Sequence, residues 1–442
     1  MAQENQATTT VDSSLSEAKR CLGTGDIERA VELLRDVLRT DSGNAEALHM
    51  LGAVAHHAGD LPSAAKLLDS AVARAPEEFN YRITFGNLLY DRGDFAQAIA
   101  HFGRATELSP GQVLGWYNLG NSLQSDGQVE GAVAAFRQAV KVDPGHVDAR
   151  NNLGAALQDL GERDEAVRCF EGLLQEHPRH SPALFNLHAV LFNDGDLGPA
   201  QDTLERLLRS EPGHGLAYFH LAVLLDIQGE AGAQDMFDRL RENRESAQFL
   251  ESWDYVRSVR NEHTRFFGTK LELLMYALSQ APEDGLVCEF GVRHGTSIRW
   301  IAAKVPGPVH GFDSFDGLPD SWGDNPAGIY STRGALPGVP DNVELHSGLF
   351  ENTLPGFLSE HEEALRFANI DCDIYHSTRT IFDNLADRIR PGTVLVFDEY
   401  LFNPTWREDE HKAFIEAAET NGWRYEYIAI GPISKQAAVR IL

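Results

Sequence analysis

The sequence predicts two fold classes in one chain. An all-α superhelix of repeated helix pairs fills the first half. An α/β doubly wound sheet closing with an antiparallel hairpin fills the second. Three observations carry this reading. Gly, Pro and Ala columns recur every 34 residues through the first half. Strand-like and helical runs alternate through the second. Where that alternation begins, the apolar run Leu286–Phe290 meets a turn with two glycines, Gly291 and Gly295, and then a helical pattern from Thr296. An α/β sheet presents backbone N–H groups to a nucleotide-like ligand in this way, at its carboxyl edge.

The repeat columns are independent of one another. Gly25, Gly59, Gly93, Gly127, Gly161, Gly195 and Gly229 step by 34, as do Pro76 to Pro212 and Ala30 to Ala200. Within one unit, Trp116, Leu119, Gly120 and Leu123 lie along a first helix. Gly127 ends it, where a left-handed residue is needed. Ala132, Phe136 and Ala139 recur at helical spacing on a second helix, which Pro144 stops. Small residues let the paired helices approach closely, and each pair buries its open face on the next. This pattern resembles the tetratricopeptide repeat family from about residue 15 to about residue 240. The predicted repeat domain runs over 14–245, with a connecting, capping helix over 246–263. Asn118, Asn152 and Asn186 share one repeat position. The resemblance implies that such asparagines line a peptide groove, since a side-chain amide both donates and accepts. The bland alternative is that they only solvate the concave wall.

The composition bounds the partners. The 442 residues are 43% hydrophobic and 24% charged, enough for two or more domains with real cores. A formal net charge of −28 argues against general nucleic-acid binding and against docking on anionic lipid. Cys21, Cys169, Cys288 and Cys372 lack metal-ligand spacing and read as thiols of a reducing compartment. The first residues, Met1-Ala2-Gln3-Glu4-Asn5-Gln6, have no basic or apolar signal-like run, and no stretch approaches membrane-span length. A cytoplasmic protein is expected.

The second predicted domain runs over 264–442. Its strands are expected at Leu286–Phe290, 309–312, 343–346, Leu365–Ile370, 393–397, 424–430 and 436–442. Helices are expected at 264–279, 296–304, 374–388 and 406–421. Only a short Gly431-Pro432 turn region separates the last two strands, too little for a helical crossover, so they should pair antiparallel.

This arrangement looks like the Rossmann-like sheet of class I methyltransferases that use S-adenosylmethionine. Glu289-Phe290-Gly291-Val292-x-x-Gly295-x-Ser297 resembles their first motif. Gly311-Phe312-Asp313-Ser314-Phe315-Asp316-Gly317-Leu318-Pro319 resembles the second motif of macrocin-type sugar O-methyltransferases, and Asp371-Cys372-Asp373 and Asp398-Glu399 resemble their acidic metal motifs. The resemblance implies that Gly291 and Gly295 admit the cofactor, with Ser297 in the same turn. Glu289 accepts from its ammonium, and Asp313, followed by Ser314, holds the ribose. Adenine falls to Ser347 or to a backbone group. Asp371, Asp398 and Glu399 are implied as ligands of Mg²⁺, a cation that prefers hard oxygen donors, and Asp371 with Asp373 as the catalytic carboxylates. The family usually shows glycine at Cys372 and aspartate at Glu399, so Glu399 would reach with a longer arm. Asp373 has three candidate roles: second ligand, general base or helix N-cap. The helix expected just beyond it favours the cap. His294, His376 and His411 are weaker candidates for a base. The long stretch 314–342, carrying Trp322 and Tyr330, reads as a lid over the acceptor or as a packed surface loop.

The expectation is an S-adenosylmethionine-dependent, Mg²⁺-assisted O-methyltransferase acting on a sugar or other hydroxyl, with the repeats recruiting a protein or carrier. A peptide or protein methyltransferase and a non-catalytic binding scaffold are the alternatives. The resemblance leaves oligomer formation open.

Overall fold

Three helix pairs of the repeats are each built around one close approach. A Cβ placed on Gly52, Gly86 or Gly120 would stand 2.7, 2.6 or 2.5 Å from the side chain of Leu68, Phe102 or Phe136, sixteen residues on in each case. Phe136 is fully buried there, with Ala132 and Ala139 beside it. Gly25, Gly59, Gly93, Gly127, Gly161 and Gly229 take positive φ between 74° and 87° and turn the chain between helices. The computed structural model describes residues 2–192, 195–242, 247–323 and 325–442.

The chain divides into two compact units, Met1–Ala156 and Leu157–Leu442. The first is helical throughout its regular structure, from Ala2–Thr24 through pairs such as Val113–Ser125 with Val129–Val142. The second opens with the remaining repeat helices, including Ser181–Leu191 and Gly215–Gln228. It continues through Gly232–Arg241 and Ala247–Val259 into a sheet. Helix Ala247–Val259 is anchored on both sides. The buried Asp226 carboxylate accepts from Trp253 Nε1 at 3.1 Å and pairs with Arg257 and Arg260 at 2.9 Å each. On the other side, Ser252 Oγ accepts from the Phe402 N–H at 3.0 Å, and the Tyr255 and Tyr427 hydroxyls meet at 2.8 Å.

The sheet has eight strands: β1 (Arg265–Phe266), β2 (Leu286–Phe290), β3 (Val309–Asp313), β4 (Val343–Ser347), β5 (Leu365–Ile370), β6 (Ile389–Phe397), β7 (Tyr425–Ile430) and β8 (Ala437–Ile441). Their order is β1-β7-β8-β6-β5-β2-β3-β4, parallel except for β8, which lies antiparallel between β6 and β7. The chain moves outward from β2 to β3 and β4, then returns to β5. The crevice between β2 and β5 is therefore the topological switch point, where ligands of open α/β sheets bind. Register sharpens this. Phe290 pairs with Ile370, and Ile370 with Phe397, so Gly291, Asp371 and Asp398 leave the sheet at one level.

Three expectations need correction. Residues 265–266 form β1 on the edge beside β7, and the helix starts at Lys270, not 264. Residues 406–409 are turn, and the helix expected from 406 starts at Glu410. Helix Phe350–Glu360, between β4 and β5, has no counterpart among the expected helices; it carries Pro355 in its second turn, where one ladder bond is forgone. No described helix is long and apolar enough to cross a membrane.

Candidate active site

Leu286–Phe290 is buried at all five positions, the mark of a central parallel strand. Gly291 follows with φ 92°, and a Cβ there would lie 1.7 Å from the Asp371 carbonyl oxygen. Glycine is demanded first by the closeness of the β2 and β5 ends. Gly295, φ 78°, caps helix Thr296–Ala302. Ser297 donates its hydroxyl to Glu289, which is fully buried. Burial pushes the Glu289 carboxyl up to about 8, against the opposing pull of Ser297.

A cavity of about 500 Å³ opens at the carboxyl ends of the strands. Its first half is a floor at the ends of β2 and β3. Gly291, Asp313 and Ser314 line it, with Gly348, Leu349 and Glu351 across from β4. Both Asp313 oxygens are held by backbone, from the Arg293 N–H and the Phe315 N–H at 2.7 Å each, which fixes the carboxylate at the end of β3. Ser314 Oγ donates to the Gly317 carbonyl at 3.0 Å and accepts from the Asp316 N–H, so it shapes the turn. Glu289, Gly295, Ser297 and Ser347 do not line the cavity. At β4 it is Gly348 and Leu349 that do, leading into helix Phe350–Glu360.

The second half is an acidic wall. Asp371, Asp373, Asp398 and Glu399 all line the cavity. Burial and then Asp398 push the Asp371 carboxyl well above its ordinary range, while Lys270 opposes. Asp373 is 8% exposed and sits at φ 60°, a left-handed conformation that costs a non-glycine residue about 1–2 kcal/mol. Its N–H and that of Cys372 donate to Glu410 Oε1 at 3.2 and 3.3 Å. Glu410 is fully buried, and burial followed by Asp373 and Asp398 drives its carboxyl well up. Asp373 is not the N-cap: that position is Ile374, with no side-chain cap bond. Its carboxylate belongs to the cavity instead, and burial followed by Asp398 and Glu399 pushes it to about 7.

Two cations answer these acids. Lys270 Nζ lies 2.5 Å from Asp398 Oδ2, while Gln436 Nε2 donates to Asp398 Oδ1 at 2.8 Å. Lys435 Nζ pairs with Glu399 at 3.1 Å. Desolvation works against the Lys270 charge, although about half of its side chain is exposed (51%), but Asp398 and Asp371 outweigh it and raise its pKa.

Of the three candidate histidines only His376 lines the cavity. His411 is packed against Tyr255, Tyr400 and Trp406, and burial lowers it to about 4. From the long 314–342 stretch, Trp322 and Tyr330 reach the cavity. Trp322 Nε1 is held by Asp409 at 3.1 Å, and the Arg293 guanidinium stands 4.9 Å over the Tyr330 ring.

In the repeats, Asn118 Nδ2 donates to Asn87 and Asn152 Nδ2 to Asn121, each at 2.9 Å, so these amides join neighbouring repeats. Asn186 is half-buried on helix Ser181–Leu191.

A family described as a methyltransferase domain matches residues 288–400. Two families of tetratricopeptide repeat match residues 22–83 with 123–191, and residues 83–145. The chain is a tetratricopeptide-repeat array joined to a methyltransferase domain. A curated relative is the 8-demethyl-8-(2,3-dimethoxy-alpha-L-rhamnosyl)-tetracenomycin-C 4'-O-methyltransferase of Streptomyces olivaceus, 28% identical over a stretch covering 31% of this chain. The chain spans 62% of that relative's length. Among solved structures, YrrB, described as a TPR protein with an unusual peptide-binding site, aligns at 20% identity and TM-score 0.39, over 42% of this chain and 96% of its own. A tetratricopeptide repeat protein from Parabacteroides merdae aligns at 18% identity and TM-score 0.43, over 55% and 96%.

The methyltransferase domain therefore has functional candidates that sequence reasoning misses. Lys270 gives no signal, because a lysine in the first turn of an amphipathic helix is ordinary. Glu410 falls inside a longer expected helix, where an acid reads as a solvated face.

Proposed function

We propose that residues 264–442 transfer a methyl group from S-adenosylmethionine to a hydroxyl, with a sugar as the acceptor class, and that the repeats over 14–245 recruit a protein or carrier. The observation that supports this most is that Gly291, Asp313 and the acidic wall line one cavity. Its volume is in the range of small-molecule sites. The relative that methylates a rhamnosyl 4'-hydroxyl supports a sugar acceptor.

The donor fits the residues present. Gly291 lets the β2 turn lie flat over β5, and the anchored Asp313 carboxylate keeps further lone pairs for two hydroxyls of a ribose. When bound, S-adenosylmethionine supplies an electrophilic methyl whose bond to sulfur breaks as the bond to the acceptor oxygen forms. The proton leaving that oxygen needs a base. Asp373 is so placed: it lines the cavity, and Glu410 holds its backbone in a strained turn that fixes where the carboxylate points. Positioning of this kind supplies much of the rate in a transfer between two bound groups.

The expected Mg²⁺ ligands do not fit a divalent ion as arranged. Lys270 stands against Asp398 and Lys435 against Glu399, so each of these carboxylates already faces a positive charge that opposes a divalent ion, while Gln436 holds the other Asp398 oxygen. Among the described residues, the only three ligand-bearing side chains that converge within 4.8 Å are His310, Glu344 and His346, none of which lines this cavity.

Calorimetric titration of S-adenosylmethionine into the full chain in EDTA tests the donor site. Wild type should bind, and Asp313→Ala should weaken binding at least about 30-fold, the roughly 2 kcal/mol of hydrogen bonds to a charged group. No binding by wild type would sink the reading and leave a binding scaffold. For the repeats, Asn118→Ala with Asn152→Ala and Asn186→Ala should reduce capture of an extended peptide from a random library. Unchanged capture makes these asparagines inter-repeat ties only.

A further inference from the structure

The acidic wall needs a counter-charge, and the fold builds one in. Asp371, Asp373, Asp398 and Glu399 border the cavity, and the lysine that lines it with them is Lys270. Its ammonium lies 2.5 Å from Asp398 Oδ2, on a carboxylate that a divalent ion in this pocket would use, and Asp371 adds to its hold.

Lys270 is delivered there by the repeats. It is the first residue of helix Lys270–Gln280, whose N-cap Thr269 accepts from the Glu272 N–H. Two residues earlier, Gly268 runs against helix Ser181–Leu191 so closely that a Cβ would stand 2.1 Å from the Ala189 carbonyl oxygen and 2.6 Å from Phe192. Just beyond the lysine, Glu272 pairs with Arg163 at 3.3 Å. Both supports come from repeat residues of the same compact unit, so the approach of the lysine is set from outside the sheet.

We propose that Lys270 is a positioning residue that serves as the built-in cation of the acceptor pocket, occupying the place of a divalent metal against Asp398, and that the repeat segment around Ala189 holds it there. This rests on the methyltransferase reading above for the identity of the pocket, but the charge substitution itself does not. An ammonium cannot gather several oxygens at metal distances. It can neutralise Asp398, leave Asp371 and Asp373 to the acceptor, and donate to an acceptor oxygen through its remaining protons.

Manganese, a spin-active probe for a hard-cation site, tests this in the full chain by electron paramagnetic resonance. Only the bound signal lost in Asp398→Asn is scored, which sets aside any ion held by His310, Glu344 and His346. Wild type and Lys270→Arg should show no such signal below millimolar metal, whereas Lys270→Met should gain a site at least tenfold tighter. Tight manganese binding by wild type that disappears in Asp398→Asn would overturn the proposal. So would a Lys270→Met protein that gains nothing while its circular dichroism matches wild type. Calorimetry with S-adenosylmethionine on the same samples separates the two ideas: donor binding absent in wild type defeats the methyltransferase reading, and the manganese comparison still decides the lysine.

Discussion

Gly120 in the repeats and Gly291 in the methyltransferase domain are both intolerant of a side chain, for different reasons. At Gly120 the obstacle is the ring of Phe136, 2.5 Å from where a methyl would stand, but it is one side chain within one helix pair. At Gly291 the obstacle is main chain, the Asp371 carbonyl at 1.7 Å, and the backbone is left-handed as well. A repeat array spreads its packing over many similar local contacts, so one can yield while its neighbours hold. A sheet concentrates its constraint where strand ends cross, and there nothing can move without moving the site.

The comparison can be broken by substitution. Gly291→Ala should have the largest effect, about 3–5 kcal/mol lost in chemical denaturation together with donor binding, since strain and a backbone clash add. A variant that still binds S-adenosylmethionine normally would show that the crossing is soft. A pH titration comes next. His188 is fully buried against His220, at 2.9 Å, and burial lowers His188 to about 4 and His220 well below its ordinary value. Both are held neutral in the fold, so their contribution is fully present above about 6.5. It is lost as pH falls from there towards about 4, where the unfolded chain takes up protons that the native one refuses. The loss approaches about 1.4 kcal/mol per pH unit for each group. Glu289 and Asp373, raised to about 8 and about 7, shift stability with the opposite sign, so the pair is read as a difference: the urea midpoint of wild type minus that of His188→Leu with His220→Phe should fall from pH 7.5 to pH 5.

Gly120→Ala should cost about 1–3 kcal/mol, the range for overpacking, and leave S-adenosylmethionine affinity unchanged. An altered donor affinity would mean that repeat packing is coupled to the donor site. The smallest effect belongs to Gly93→Ala. Its φ of 74° opposes a side chain but the space around it is open, so about 1 kcal/mol is expected from thermal melts.

Much of this is legible in the residues, and unevenly so. The helix pairs announce themselves because several repeats write the same contact again, and 34-residue columns survive local noise. The acidic wall is legible because strand ends are short, apolar and in sequence order, so Asp371 and Asp398 can be placed beside each other without any coordinate. Helix Phe350–Glu360 is not, since Gly356 and Pro355 break its pattern and the packing of Leu354 and Phe357 on the sheet stabilises it instead. Asp373 reads as a cap for a related reason: its position outside the helix is local, but its direction is set by Glu410, thirty-seven residues away.

Periodicity and strand-end position are properties of neighbouring residues, so the two fold classes, the glycine turn, Asp313 and the four acids can be read before any packing is known. Tertiary structure alone decided which charge faces which acid. Lys270, Lys435, Gln436 and Glu410 reach the wall from other elements, at separations where no local preference operates. Coulomb and desolvation energies in a buried cavity depend on distances that only the packed chain sets.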